Sequence, residues 1–463
     1  MDNVSFTFDE IRSALPGSTW TGNPAGSVSA IFTDTRETVA DSLFIAFSGE
    51  NFDAHDFLDK AVANGAKLLC VEKEKADRVP AGVDAVLVDS TVAAYQALAR
   101  LHRNRFPDLH LLALTGSCGK TSTKETLRAI LEEAYGKEHI LATEGNTNNQ
   151  IGVPRNLFRL TDAHQAAVIE MGTNHHGEIA PLADCALPES AMIVSIGNCH
   201  LEFLGSLEGV AVEKSRIFQN GVRRAVLPYG AVGTEIMRDA AAGSGEILTF
   251  GADPVCDFRA EYLGGNLQGS SFRLTKAATG ESAVIQWHIP GAHQANNAAG
   301  AAALADSLGI PFEVIAAGIA KTTLPGMRMR ITEHHGATWI NDAYNANPDS
   351  MCATLEWLSE FVKGDDLKKL VLALGDMGEL GSARAVGHRR VLLKVQELFP
   401  DVRLVTVGPE MQAVADALAM EPVAAYMTAD EASGDFLDHI RPGDLVLLKA
   451  SRSMGMEKLE PAE

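Results

Sequence analysis

Short apolar, β-branched runs recur along the chain at residues 166–169, 191–196, 370–374, 404–407 and 445–448, each separated from the next by a helix-length or loop segment. Runs without polar alternation suit strands buried on both faces, so this spacing predicts parallel sheets covered by helices. A helical period is clearest over 121–135, where Leu127, Ile130, Leu131 and Tyr135 share one face. A second, Ala-rich helix is predicted over 296–308, ending at Gly309. Between 258 and 289 the pattern changes to short alternating stretches, 271–274 and 284–287, which predict a small antiparallel insert.

At 463 residues the chain is too long for one core, and typical domain size predicts roughly three. Breaks fall at Pro107, within the polar segment 103–108, and at the Pro-Gly of segment 322–326. The expected organisation is α/β throughout. A small N-terminal α/β domain covers 1–107, a central parallel-sheet domain carrying the insert covers 108–322, and a Rossmann-like α/β domain covers 323–463.

Charge and cysteine usage narrow the function. The formal charge of −21, from 60 acidic and 39 basic residues with no Lys/Arg-rich block, argues against a nucleic-acid partner. Six cysteines without CxxC spacing suggest neither a zinc cage nor a disulfide framework, and a reducing cytoplasm fits them. The N-terminus is acidic and no apolar run approaches the ~20 residues of a membrane span, so a cytoplasmic, unexported protein is expected.

Chemistry concentrates where the first central strand ends. The sequence LLALTGSCGKT turns through Gly116, Ser117, Cys118 and Gly119 into Lys120, Thr121 and Ser122 at the head of the predicted helix. Glycines let backbone N–H groups close around phosphate oxygens, Lys120 can reach the β and γ phosphates, and the Thr121 hydroxyl suits Mg²⁺; ATP is the expected cofactor. The match is to the compressed form GxxGKT, since Leu114 stands where the longer motif has its first Gly. Cys118 has two readings: a thiol acidified by N–H dipoles and Lys120, hence redox-sensitive, or an occupant of a variable position. In TEGNTNNQIGVP, Asn146, Asn148 and Asn149 either serve their own turn or offer donors to a substrate's phosphates or carboxylates. Glu170 follows an apolar strand, where a carboxylate can bind Mg²⁺ or remain solvated. By spacing alone His200 reads as structural and Lys214 as a solvated helix cation.

The combination TGSCGKT, TEGNTNNQIGVP, EMGTNHHGEI, HLEFLGS, NDAYNANPDSM and LGDMGELG resembles the Mur ligase family over about residues 33–457, and within it the branch that adds D-Ala-D-Ala. The resemblance implies an ATP-dependent amide-bond ligase of peptidoglycan precursor synthesis, with UDP-MurNAc-tripeptide and D-Ala-D-Ala as partners and a monomer as the expected state. It assigns the N-terminal domain to the UDP sugar nucleotide, the central domain to ATP and the last to D-Ala-D-Ala. Lys120, Glu170, His200 and Lys214 fall on catalytic positions; Thr121, Glu170, His200 and Lys214 fall on metal positions, with Lys214 at the lysine that is carbamylated in relatives. Asn297 matches an adenine-side contact, although an Asn near a helix start can also be a cap. Gln294 replaces the family's usual Asn. Arg328 and Asp342 match nucleotide contacts made on domain closure, and Tyr344, Asn345 and Asn347 of YNANP are substrate-side candidates. Thr35 and Arg36, together with segment 47–57, resemble the loops that hold the UDP sugar; a surface ion pair is the alternative for Arg36. Other readings are a folylpolyglutamate synthase or another ligase of the superfamily, and a nucleotide-dependent switch that makes no bond.

Overall fold

The computed structural model describes residues 4–22, 24–49 and 52–461; Glu50 and Asn51 of the candidate segment 47–57 lie outside the described residues. The α/β expectation holds, and three large sheets carry it. The first has five strands in the order Thr19–Trp20, Ala85–Val88, Ala66–Glu72, Ser42–Ile45 and Ala30–Phe32, parallel except where Thr19–Trp20 pairs with Ala85–Val88. The second has nine strands, and one end of it runs Ser190–Ile193, His110–Thr115, Ala166–Glu170 and, at the edge, Ile140–Ala142, all parallel. The third has six, in the order Arg330–His334, Ala337–Asn341, Leu445–Lys449, Leu370–Gly375, Arg403–Val407 and Ala424–Tyr426, with only the first pair antiparallel.

Burial explains why the continuous apolar runs became parallel strands. Every residue of Ala166–Glu170 and of Leu370–Gly375 is buried, because helices cover both faces. Along Leu370–Gly375 alternate residues feed opposite layers: Leu372 and Leu374 join one apolar cluster, Val371 and Ala373 the other. One core, by contrast, runs from Phe6 and Leu43 through Leu98 to Leu111 and Ile169, so the N-terminal and central sheets share packing.

The expected insert is present but is not separate from the central sheet. Phe258–Asn266 lies parallel to Glu246–Gly251, and the hairpin Gly269–Lys276 and Ser282–Trp287 follows antiparallel, with Phe272 opposite Ile285. The edge strand Ser282–Trp287 alternates because one face meets solvent. Two boundaries also moved. The Ala-rich helix spans Ala292–Asp306, starting earlier than its alanine pattern, because His293 and Gln294 in its first turn face the cleft rather than the core. The strand expected over 191–196 ends at Ile193, since Ser195 turns to hold the neighbouring loop.

Candidate functional site

The central strand His110–Thr115 delivers Gly116–Gly119 to the head of helix Lys120–Tyr135. Gly119 is required there: its φ is +78°, and a Cβ would lie 2.6 Å from Asn297 Nδ2. The loop is pinned by the turn after the adjacent strand. Ser117 N donates to Ser195 O at 2.9 Å, and Cys118 N donates to Ser195 Oγ at 2.8 Å. Lys120 Nζ folds back onto Gly116 O at 2.6 Å, inside the loop where phosphate oxygens would sit. Gln294 Nε2 donates to Ser122 Oγ at 3.3 Å, so the residue that departs from the family pattern supports the helix head. Asn297 lies in the second turn of its helix, whose cap position is Gly291, and it lines the cleft; the cap alternative is thereby overturned.

Below the loop is a buried polar set. Glu170, 1% exposed, accepts from Asn148 Nδ2 at 2.7 Å and lies 3.5 Å from Thr121 Oγ1, while its Oε2 is buried without a partner. Its backbone N–H donates to Thr143 Oγ1 at 2.9 Å, and Lys124 Nζ holds Thr143 O at 2.8 Å. A solvated strand end is therefore not what Glu170 is. Lys214, at the end of helix Leu207–Ser215, is 0% exposed and its Nζ has no partner. Desolvation pushes its pKa down to about 8, which overturns the solvated-cation reading. An orphaned carboxylate oxygen and an amine kept partly neutral fit a hard divalent cation and a CO₂-derived ligand. The three amides divide their work: Asn149 Oδ1 caps Gly152 N at 2.8 Å, Asn148 reaches Glu170, and Asn146 lines the cleft.

The C-terminal part closes over this set. Arg328 Nη2 donates to Thr121 Oγ1 at 3.1 Å, and its guanidinium stacks 3.5 Å from the centre of the Tyr344 ring. Asp342 is held by Lys449, by Thr354 Oγ1 at 3.1 Å and by Met329 N at 3.3 Å. Asn347 caps helix Pro348–Phe361 and donates to Cys118 Sγ at 2.8 Å. Asp349 accepts from Asn198 N at 3.0 Å, and Glu379 Oε2 lies 2.6 Å from His200 Nδ1. Together these walls, with Asn345, enclose a cleft of about 850 Å³.

Three sequence expectations fare differently. The Cys118 thiol is pushed up to about 11 by burial, so the acidified, redox-sensitive reading is corrected: desolvation outweighs the nearby lysine. Thr35 and Arg36 do not line the cleft. Arg36 is 85% exposed and bound to Asp34, 2.5 Å from Nη2 to Oδ2, and that contact holds the aspartate pKa down to about 2. Sequence reasoning missed Glu178 and Glu213, whose carboxylates gather the backbone N–H groups of 174–175 and 177–179. It also gave no role to Asp349 and Glu379, although both lie in the motifs NDAYNANPDSM and LGDMGELG.

A phosphate loop opposed by a second α/β body that sets arginine and carboxylates over it is the arrangement of an ATP-dependent ligase. Residues 114–305 match the Mur ligase middle domain and residues 327–452 match the Mur ligase, glutamate ligase domain. The UDP-N-acetylmuramoyl-tripeptide–D-alanyl-D-alanine ligase of Escherichia coli K12 is 35% identical over 94% of this chain and 93% of its own length. That of Bacillus subtilis is 32% identical over 93% and 92%. A crystal structure of MurF from Acinetobacter baumannii superposes with a TM-score of 0.87 at 31% identity, covering 99% of this chain and 98% of that one. The MurF ligase of Thermotoga maritima in complex with ADP shares the fold, with a TM-score of 0.80 at 24% identity over 93% and 95%. The chain belongs to the Mur ligase family.

Proposed function

We propose that the protein joins D-Ala-D-Ala to UDP-MurNAc-tripeptide at the expense of ATP, as a monomer in the cytoplasm. The observation that carries this is the buried set of Thr121, Glu170 and Lys214, in which Glu170 Oε2 and Lys214 Nζ have no partner, beneath a phosphate loop on which Arg328 and Tyr344 lie. Domains would divide at 107/108 and 322/323, between the end of one sheet and the start of the next.

The tripeptide carboxylate attacks the γ-phosphate of ATP, ADP departs, and an acyl phosphate forms; the amine of D-Ala-D-Ala then attacks its carbonyl and phosphate leaves. Two anions meet in the first step, so positive charge must be fixed before they arrive. Lys120 supplies an ammonium beside the γ-phosphate. Thr121, Glu170, His200 and Lys214 would hold Mg²⁺, which neutralises charge on the transferring phosphoryl group. Lys214 would do so as a carbamate, for which its buried, partly neutral amine is suited. Asn297 would face the adenine, and Asp342 would exchange a present partner for the ribose. Arg328, carried with Tyr344, excludes water from the phosphates and aligns the acceptor. Asn146, Asn345 and Asn347 line the cleft and would face the peptide. The UDP group would meet Thr35 and Arg36, the latter exchanging Asp34 for a diphosphate.

Phosphate release is to be measured with UDP-MurNAc-tripeptide and D-Ala-D-Ala added separately and together, while pentapeptide is followed by mass spectrometry. Release that needs both, with one pentapeptide per phosphate, is expected. Release indifferent to the dipeptide would sink the proposal and favour a different amine acceptor.

A further inference from the structure

Five carboxylates among the described residues line the nucleotide cleft: Glu170, Glu178, Asp342, Asp349 and Glu379. Four are already engaged. Glu170 is sealed under Asn148 and Thr121 at the phosphate end, 1% exposed, with its one unpartnered oxygen buried. Glu178 Oε2 collects Thr173 Oγ1 and the N–H groups of Asn174 and His175 at 2.7–3.1 Å. Asp342 is bound by Lys449, Thr354 and Met329 N; Asp349 is bound by Arg390 at 2.6 Å and by Asn198. Glu379 alone is 45% exposed, and its one ion-pair contact among the described residues is His200 Nδ1 at 2.6 Å, a buried ring nitrogen that makes no hydrogen bond.

Glu379 is also held in position by its backbone. It follows strand Leu370–Gly375 with a left-handed φ of +59°, a conformation unusual for a residue with a side chain. Two residues later Gly381, at φ +50°, lies against helix Leu201–Leu204 so closely that a Cβ would come 2.9 Å from Glu202 Cα. The close approach of Gly381 to Glu202 thus fixes the loop that presents Glu379 to the cleft. The second substrate of the proposed reaction arrives with an ammonium group, which must be held beside the activated carbonyl and lose a proton to water before the neutral amine attacks. A carboxylate on the closing body meets that need, and a cation is what an underpaired carboxylate in a partly desolvated cleft selects.

Resting on the ligase reaction proposed above, we infer that Glu379 is the residue that binds the ammonium end of the incoming D-amino-acid dipeptide, exchanging His200 for it. Glu379 thus selects acceptors with a free, charged amine.

The experiment uses the full chain with Glu379→Gln and Glu379→Asp. It compares KM for D-Ala-D-Ala, ATP and UDP-MurNAc-tripeptide, and the inhibition constant of N-acetyl-D-Ala-D-Ala, which lacks the charge. Expected for Glu379→Gln is a dipeptide KM raised about 10-fold or more, with the other two KM values and the inhibition constant moving less than about 2-fold. Glu379→Asp should recover part of the loss. An unchanged dipeptide KM would overturn the inference. So would a parallel rise of all three KM values and the inhibition constant, the signature of a residue that only closes the domains. Wild-type turnover independent of D-Ala-D-Ala would instead overturn the ligase proposal, and the inference with it.

Discussion

Lys214 and Arg36 are both cations at positions matched to ligand binding, and the structure treats them oppositely. Lys214 is buried without a partner behind the phosphate loop, whereas Arg36 is exposed and bidentate with Asp34. A buried orphan charge is costly and persists where a ligand or modification completes it; an exposed ion pair is nearly neutral in stability and can exchange partners freely. The central site is thus prebuilt around missing charge, and the N-terminal surface waits with its charge already balanced.

The sharpest break of this comparison is Lys120→Ala, which removes the ammonium from the prebuilt side; kcat should fall by about 10³-fold or more, read by coupled ADP release. Lys214→Met comes next, with turnover expected to fall about 10²-fold and bicarbonate depletion reproducing the loss only in the wild type. Its stability should move the other way. The folded-state pKa, near 8, lies below the ordinary 10.5, so the penalty for burying the charged amine is fully present below pH 8 and fades as pH rises towards 10.5. In CO₂-free buffer Lys214→Met should therefore be more stable than the wild type at pH 7, by on the order of 3 kcal/mol, with the gap closing at alkaline pH in urea titrations.

On the balanced side, Arg36→Ala should raise KM for the UDP substrate about 10-fold while leaving stability essentially unchanged; an unchanged KM would remove Arg36 from the nucleotide site. The smallest effect belongs to Cys118→Ser. With its thiol pKa near 11, Cys118 should alkylate slowly at pH 8, and the serine variant should keep kcat within about 2-fold.

Strand Leu370–Gly375 and helix Lys120–Tyr135 were legible because burial on both faces and a one-sided helix each leave a period in the sequence. The phosphate loop was legible for a similar reason: glycine, lysine and threonine are needed within a few residues of one another. Glu178, Glu213, Asp349 and Glu379 left no such trace. Their partners are backbone N–H groups or side chains from other elements, and nothing local marks a carboxylate as belonging to one.

What the chain determined by itself is the sequence of elements, the phosphate loop and the family, since each depends on neighbours within a few residues or on matching motifs. Only the tertiary structure decided which charges are left unpaired. It buried Lys214 and raised the Cys118 pKa against the pull of its lysine. It also balanced Arg36 at the surface and set Glu379 facing the cleft. Solvation and partner distance are properties of the packed molecule, and they fix the charge state of a residue that its place in the sequence does not.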